Sequence, residues 1–323
     1  MNHFYMTHFS LRPLKFSDLL RRALHPAFAK ARVRPALFAA VVVLGALFAP
    51  PKVSAQTPET VVIAIPAHDD YSAISMKAYL YKPEGKGPFP TVLFSHGRAG
   101  TPQERAALSN PVNPTHAQFW LDRGVAVLAP FRPGYGQTGG EDRENSGARL
   151  DASNQCGGAP NVERAAGQAA YAANTALQWL RQQDFVMKNK ILLEGQSVGG
   201  MTTVHLAGQN PKGVVGFINF AGGTAGYPSQ RPGHSCATDQ LRELYRKAGQ
   251  KTRLPNLWLY AENDQYWGAE VPRLWHQAFA KGGSKTKFVQ TGPVPNADGH
   301  TLLSRGKSLW HDPVQGFLAS LNF

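Results

Sequence analysis

A serine lies between glycines at the centre of the run GQSVGG, residues 195–200. Apolar, strand-like residues (ILLEGQ) precede Ser197, and a helix-like segment (MTTVHLAG) follows it. A nucleophilic serine of the G-x-S-x-G type occupies such a strand-to-helix turn, where the glycines permit close backbone approach and the helix N-terminus favours a developing negative charge. The pentapeptide also occurs in ordinary glycine-rich loops, so the nucleophilic interpretation of Ser197 requires a base and an acid elsewhere in the chain.

A carboxylate and an imidazole follow Ser197 in the order that such a nucleophile requires. Asp264 comes 67 residues after the serine, just past the apolar run NLWLYA, and His300 follows 36 residues later in the segment PNADGHT. In the order Ser, Asp, His, the imidazole removes the serine proton and the carboxylate orients the imidazole. Glu262 is the rival acid, and the rival histidines lie in helix-like surroundings: His205, His276 and His311.

The negative oxygen that forms during attack by a serine needs two N–H donors. One is expected to be the amide of Val198, directly after the nucleophile. The second is expected in the segment after the strand-like run TVLFSHG, where we favour the amide of Arg98 over that of Ala99. We expect His96 to brace this loop rather than to transfer a proton.

The elements that must position these residues alternate along the chain. Strand-like runs are separated, from the third onward, by helix-like segments, the longest of which covers residues 161–183. Strands alternating with helices imply a mostly parallel sheet with helices on both faces. We therefore predict an α/β fold with a mostly parallel, twisted sheet of about eight strands, in a single catalytic domain over residues 56–323. The strand-like runs are VVIAIPA, MKAYLYKP, TVLFSHG, VAVLAPF, ILLEGQ, VVGFINFAG, NLWLYAEND and TKFVQTG.

Two polar, glycine-rich segments interrupt this alternation, at residues 132–160 and 223–250. Each follows a predicted strand, and loops at the carboxyl ends of parallel strands line the ligand crevice, so we expect both segments to wall the active site. Each carries one cysteine, which favours a disulfide between Cys156 and Cys236; two free thiols are the alternative. Aromatic residues near the strand ends are candidates for a substrate pocket, with core packing as the alternative: Tyr135, Tyr227, Tyr266 and Trp267.

The first 55 residues differ from the rest in charge. They hold eight Lys and Arg against one acid, which leaves +6 of the total charge of +13 for the remainder. This basic stretch precedes a 14-residue apolar run at residues 36–49 and then small residues up to Ala55. The pattern predicts a signal peptide over residues 1–55 and an exported mature chain that is periplasmic or secreted. A retained membrane anchor at residues 36–49 is the alternative, although a spanning helix needs about 20 residues.

The composition also argues against two kinds of partner. No basic cluster interleaved with aromatic residues occurs in the sequence, so we do not expect nucleic-acid binding. The two cysteines are far apart and not in a CxxC pair, which makes a poor zinc site and disfavours redox catalysis. After signal cleavage we expect no stable membrane insertion. The sequence does not indicate an oligomeric state.

Five motifs together resemble the α/β-hydrolase superfamily, and within it the dienelactone-hydrolase-like group of exported serine esterases: SHG, PFRPGYG, GQSVGG, AENDQYW and DGH. The resemblance covers about residues 60–323. It implies that a small-molecule ester or lactone is hydrolysed through Ser197, Asp264 and His300, without a cofactor or a metal. The namesake enzymes use a cysteine nucleophile, so the serine here favours ordinary carboxylic esters over dienelactone. A peptidase for short peptides and a catalytically silent binding scaffold are the alternative functions.

Overall fold

An eight-stranded sheet forms the centre of the part of the chain that the computed structural model describes, residues 57–323. Its strand order is β1-β2-β4-β3-β7-β8-β11-β12. The strands are β1 (Glu59–Ile65), β2 (Ile74–Tyr81), β3 (Phe89–Ser95), β4 (Ala126–Pro130), β7 (Val186–Gln196), β8 (Val214–Phe220), β11 (Asn256–Ala261) and β12 (Thr286–Thr291).

The sheet is parallel except at one side. β1 pairs antiparallel with β2, and β2 pairs antiparallel with β4, whereas every neighbouring pair from β4 to β12 is parallel. The prediction of a mostly parallel sheet of about eight strands is confirmed. After β3 the chain moves to one side to form β4 and later returns to β7 on the other side. The strand order therefore reverses between β3 and β7, and ligand crevices of open α/β sheets lie at such a reversal.

Apolar side chains of the central strands point to both faces of the sheet, because successive residues of a strand point in opposite directions. On β3, Val92 and Phe94 belong to one buried cluster and Leu93 belongs to the other. The cluster around Leu93 includes side chains of α3 (Val162–Leu180), α4 (Val198–Ala207), α5 (Thr238–Lys251) and α6 (Val271–Ala280). The cluster around Val92 includes side chains of α2 (Pro114–Leu121), α7 (Leu302–Arg305) and α8 (Lys307–Ser320). A short helix, α1 (Pro102–Ala106), precedes α2 in the chain. Helices thus cover both faces, as predicted.

The longest helix illustrates how the sequence specifies this packing. Asn161 caps α3 by accepting a hydrogen bond from the amide of Arg164 at 2.9 Å, which satisfies one of the free N–H groups at the helix start. Alanines at a spacing of three or four residues then form a buried stripe: Ala166, Ala170, Ala173 and Ala176. This spacing places them on one helix face, toward the core cluster that contains Leu93.

The two glycine-rich segments each contain a short hairpin where the sequence predicted only loop. β5 (Ala148–Leu150) pairs with β6 (Cys156–Gly158), and β9 (Gly226–Tyr227) pairs with β10 (Arg231–Ser235). A disulfide joins Cys156 to Cys236, with 5.2 Å between the two Cα atoms. The predicted pairing of the cysteines is confirmed, and it links the two segments covalently.

The predicted signal segment, residues 1–55, lies outside the described residues. Within residues 57–323, none of the helices has the length and the apolar character needed to cross a bilayer.

Candidate active site

Ser197 occupies the single-residue turn between β7, which ends at Gln196, and α4, which begins at Val198. Its backbone angles, φ 58° and ψ −124°, lie in a region that non-glycine residues seldom adopt. The neighbouring glycine is required by close contact, because a Cβ on Gly199 would overlap the carbonyl groups of Ser95 and His96. The sequence therefore forms a strained turn that presents the Ser197 side chain at the carboxyl edge of the sheet.

His300 and Asp264 form a hydrogen-bonded pair at the same edge. The imidazole Nδ1 lies 3.0 Å from Oδ2 of Asp264, and the buried carboxylate also accepts hydrogen bonds from the amides of Tyr266 and Trp267, at 2.8 and 3.1 Å. A carboxylate can only accept, so the Nδ1 atom carries the hydrogen. In the neutral ring this leaves Nε2 as the proton acceptor, which is the form that a general base requires.

Several contacts fix the His300 ring beside the serine turn. Gln196, the residue directly before Ser197, donates from Nε2 to the carbonyl oxygen of His300 at 3.0 Å. The Tyr266 ring stacks on the imidazole with 4.0 Å between centroids, and the Trp267 ring meets it edge-on at 5.5 Å. Asp298 accepts a hydrogen bond from the amide of His300 at 2.9 Å, and thus shapes the loop.

The rival titratable residues lie elsewhere. Glu262 is exposed, whereas Asp264 is buried. His276 lies on α6 with Nε2 2.8 Å from the Thr286 hydroxyl, and its partial burial lowers its pKa to about 4. His311 lies beside Asp312 on α8, and His205 lies in the last turn of α4, away from the turn at Ser197. Among these four histidines, only His300 is hydrogen-bonded to Asp264.

The loop after β3 passes directly against Ser197. A Cβ on Gly97 would come 3.3 Å from Cβ of Ser197. Within the described residues, the amides of Arg98 and Val198 donate to no other protein group. Both residues border the same cavity as Ser197. Two free N–H groups beside the serine match the donor set expected for a negatively charged oxygen.

A neutral histidine braces this loop. The amide of Arg132 donates to Nε2 of His96 at 3.3 Å, so the hydrogen of the His96 ring lies on Nδ1, which donates to the carbonyl of Gly97 at 2.7 Å. Burial, and next the charge of Arg132, hold the pKa of His96 well below its usual value, so the ring stays neutral. Because C=O and N–H point in opposite directions across a trans peptide, holding the Gly97 carbonyl also orients the Arg98 amide.

A buried ion pair in turn supports His96. The guanidinium of Arg132 donates to both carboxylate oxygens of Glu144 and, at 2.8 Å, to the carbonyl of His96. Both Arg132 and Glu144 are 1% exposed. Two positions away, Asp142 binds the guanidinium of Arg98. These pairs were not predicted from the sequence; their only signal was a run of three acids around one arginine, GEDREN, inside a segment expected to be a loop.

A cavity of about 740 Å³ opens beside Ser197. Both glycine-rich segments border it, through Ser146 and Ala148 of the first and through residues 224–230 of the second. The phenol of Tyr227 donates to the carbonyl of Ala148 at 2.7 Å, so the two walls are in direct contact. Three of the four aromatic residues expected from the sequence line the cavity: Tyr227, Tyr266 and Trp267.

Tyr135 is the exception, and its expected place in the pocket is corrected. Its side chain is 1% exposed and does not line the cavity. The hydroxyl donates to Glu144 at 3.3 Å, and the ring packs edge-on against His96 with 4.5 Å between centroids. Burial raises the pKa of Tyr135. A tyrosine that turns inward to complete a buried polar cluster has no surface left for a ligand, so Tyr135 belongs to the support of the loop.

No group of three or more His, Cys, Asp and Glu side chains suited to a metal ion occurs within residues 57–323. The candidate site therefore consists of a strained serine, an imidazole–carboxylate pair, free backbone amides and a cavity.

The chain was compared with known protein families, curated proteins and solved structures. No protein-family model matches the chain, and no curated protein matches it. Among solved structures, the chain is similar to Est1E from Butyrivibrio proteoclasticus with bound ferulic acid, at 16% identity and a TM-score of 0.55, covering 81% of this chain and 98% of that one.

Two further structures show the same likeness. A putative dienelactone hydrolase from Klebsiella pneumoniae subsp. pneumoniae is 17% identical, with a TM-score of 0.52, over 83% of this chain and 99% of that one. The α/β hydrolase GrgF from Penicillium sp. sh18 is 15% identical, with a TM-score of 0.57, over 83% of this chain and 100% of that one. At such low identities the likeness concerns the fold. With the strand order and the turn at Ser197, it shows that the chain has the α/β-hydrolase fold.

Proposed function

We propose that the protein is a serine hydrolase that cleaves carboxylic esters or lactones through a covalent acyl-enzyme, with Ser197 as nucleophile, His300 as base and Asp264 as the orienting acid. The observation that carries the proposal is the strained turn at Ser197, φ 58°, beside an imidazole whose Nδ1 is held by a buried carboxylate at 3.0 Å. A backbone held in this region is costly for serine and is typical of functional sites.

Each step of the reaction has a group assigned to it. Nε2 of His300 takes the proton of Ser197 as Oγ attacks the ester carbonyl, and Asp264 stabilises the imidazolium that forms. The negative oxygen of the tetrahedral intermediate accepts hydrogen bonds from the amides of Val198 and Arg98. His300 then returns the proton to the leaving alcohol. Water, activated by the same imidazole, attacks the acyl group and releases the acid and free Ser197.

Structural relatives agree with this chemistry without establishing it for this chain. The Est1E structure has ferulic acid bound, and the Klebsiella relative is named a putative dienelactone hydrolase. An ester is favoured over a lactone of the dienelactone type by the serine nucleophile. Small-molecule substrates suit a cavity of about 740 Å³, which lies within the range of about 300–1,000 Å³ for ligand sites.

Hydrolysis of p-nitrophenyl acetate by matched acid variants tests the proposal. Asp264→Asn removes the carboxylate that fixes the His300 tautomer, and a loss in kcat on the order of 10⁴-fold is expected. Glu262→Gln changes the exposed acid two residues earlier and should leave kcat unaltered. Equal losses in the two variants, or activity of Asp264→Asn close to that of the unaltered protein, would refute the assigned roles. A panel of short peptides run in parallel tests the peptidase alternative.

The proposal extends to the location of the protein. Residues 1–55 act as a signal peptide cleaved after Ala55, and the mature enzyme works in an oxidising, exported compartment. The disulfide between Cys156 and Cys236 supports this, since structural disulfides persist in such compartments. N-terminal sequencing of the mature protein should begin at Gln56; an intact N-terminus on the exported protein would favour the anchor at residues 36–49.

A further inference from the structure

The segment after β8, residues 223–226, passes both the candidate nucleophile and a ring that contacts the candidate base. The amide of Gly223 donates to the carbonyl oxygen of Ser197 at 3.1 Å. A Cβ on Gly223 would lie 2.9 Å from ring atoms of Trp267, and that ring meets His300 edge-on. The segment thus contacts the nucleophile directly and the base through Trp267.

Thr224, the next residue of this segment, is buried and borders the cavity beside Ser197. It is 5% exposed, and it lines the cavity of about 740 Å³. Two other buried polar residues line the same space, Ser146 and Ser197 itself. The hydroxyl of Ser146 accepts a hydrogen bond from the amide of Ala148 at 3.4 Å, and Ser197 is assigned to the chemistry. The hydroxyl of Thr224 is neither bonded in this way nor assigned to the reaction.

This hydroxyl is available to a ligand. It makes no hydrogen bond within residues 57–323, and protein atoms do not enclose it. The carbonyl of Thr224 accepts a hydrogen bond from the Ser235 hydroxyl at 2.8 Å, and the carbonyl of Ala225 accepts one from the amide of Cys236 at 2.9 Å. These two bonds fix the backbone of the segment. Because Thr224 lines the cavity, the free side of its hydroxyl faces that space.

The charged side chains that line the cavity are already engaged with the protein. The guanidinium of Arg98 donates to the carboxylate of Asp142. The carboxylate of Glu104 accepts hydrogen bonds from the amide and the hydroxyl of Thr101, at 3.0 and 2.9 Å. The Thr224 hydroxyl, by contrast, can both donate to and accept from an uncharged group. We therefore expect the ligand group that meets Thr224 to be polar and neutral.

Hydration explains why such a hydroxyl discriminates between substrates. A ligand that displaces water from a polar group loses affinity unless it replaces the hydrogen bond of that water. An apolar substrate would leave the Thr224 hydroxyl without a partner, whereas a hydroxyl on the substrate would restore the bond. One neutral hydrogen bond of this kind changes kcat/KM roughly 2- to 12-fold.

We infer that Thr224 is a specificity-determining residue whose hydroxyl binds a hydroxyl group of the substrate, and that the preferred substrates are uncharged esters with a hydroxyl group near the ester bond. The role assigned to Thr224 rests on the proposed function of Ser197. The substrate hydroxyl can belong to the acid or to the alcohol of the ester, and two ester series distinguish these cases.

Paired esters that exchange a methyl group for a hydroxyl group test the contact. Hydroxyethyl acetate against propyl acetate varies the alcohol, and methyl glycolate against methyl propionate varies the acid. In each pair the ratio of kcat/KM is compared between the unaltered protein and Thr224→Val, so that the intrinsic reactivity of the esters cancels. Thr224→Val keeps the shape of the side chain without its hydroxyl, and at least one ratio should fall by about 2- to 12-fold.

Two control variants assign such a fall to the hydroxyl. Thr224→Ser keeps the hydroxyl and should keep the ratio, whereas an equal fall in this variant would show that side-chain shape causes the effect. Thr60→Val makes the same exchange at an exposed position of β1 outside the cavity and should also keep the ratio. Where Thr224→Val does not fold, the ratios are measured on Thr224→Ala, which removes the same hydroxyl.

Three results would overturn parts of this account. Unchanged ratios in both ester series would show that the Thr224 hydroxyl does not contact the substrate. A fall confined to the pair of monomethyl succinate and methyl pentanoate would show that the bound group is a carboxylate rather than a neutral hydroxyl. Fluorophosphonate labelling of Ser197 is measured in every variant. Absence of labelling in the unaltered protein would overturn the proposed function itself, whereas intact labelling with unchanged ratios would overturn only the role of Thr224.

Discussion

Glu144→Gln tests whether the buried ion pair supports the loop that carries the Arg98 amide. The substitution keeps the size of the side chain and removes its charge, while the guanidinium of Arg132 stays 1% exposed. Arg132 already has one buried nitrogen, Nη1, without a partner in the described part of the chain. The variant therefore leaves a buried cation without its counter-charge, beside the carbonyl of His96 to which it donates.

The size of the effect follows from this burial. Breaking a buried ion pair by removing one partner costs about 3–5 kcal/mol. For a domain of this size, each kcal/mol lowers Tm by about 2–4 °C, so a decrease of roughly 6–20 °C is expected. Loosening the brace on Gly97 also weakens one donor to the negative oxygen. Since full loss of such a donor costs roughly 10²–10³-fold in kcat, we expect kcat to fall by up to about 10²-fold with little change in KM.

Calorimetry and ester hydrolysis on the same samples provide the assay. Glu243→Gln removes the acid of an exposed pair with Arg246 and serves as the control, with Tm and kcat expected to stay near those of the unaltered protein. The double variant Arg132→Met with Glu144→Leu separates folding from positioning, since replacing both charges by apolar groups restores stability. Its kcat should stay low because the guanidinium that donates to the His96 carbonyl is gone. A Tm and a kcat of Glu144→Gln within error of the unaltered protein would refute this reasoning.

Three further outcomes are expected. Gly97→Ala should slow both ester hydrolysis and fluorophosphonate labelling, because the added Cβ would lie 3.3 Å from Cβ of Ser197. Unchanged rates would show that the loop shifts to accommodate the methyl group. Replacing Cys156 and Cys236 by alanine opens a covalent loop with a sequence separation of 80 and should lower the free energy of unfolding by about 4.5 kcal/mol in urea titration, whereas unaltered stability would contradict a structural role. The pKa of His276 is lowered from 6.5 to about 4 in the folded protein, so the unfolded chain takes up a proton at this residue first as the pH falls. The contribution of neutral His276 to stability is therefore complete above pH 6.5 and is lost as the pH falls to about 4. His276→Gln should therefore flatten the decline of Tm over that range, and an identical decline in both proteins would contradict the assignment.

The residues to which we assign the chemistry could be recognised in the sequence because their signals are local. Ser197 lies in a five-residue motif between a strand and a helix, and Asp264 and His300 lie just past strand ends. The apolar runs of β3, β4 and β8 indicated buried strands directly. The start of β7 was missed, since its first residues, VMKNK, are mostly polar and partly exposed at the edge of the sheet. Hydrophobic pattern identifies the buried part of a strand rather than its full length.

The supports of the site were not predictable, because they depend on contacts between distant segments. His116 and Trp120 on α2 both hydrogen-bond to Glu194 on β7, 78 and 74 residues away. Glu194 is fully buried three residues before Ser197, yet nothing in the run ILLEGQ distinguishes it from an exposed acid. Tyr135 was misplaced for the same reason, since its partner Glu144 lies in a segment without a regular pattern.

Mass spectrometry of the protein after reaction with a fluorophosphonate tests the central claim most directly. The reagent phosphonylates a serine only where a base and an oxyanion site activate it, so one adduct per chain is expected. Peptide mapping should place that adduct on Ser197, and Ser197→Ala should prevent it. Absence of an adduct, or an adduct on another serine that persists in Ser197→Ala, would contradict the claim that Ser197 is the nucleophile.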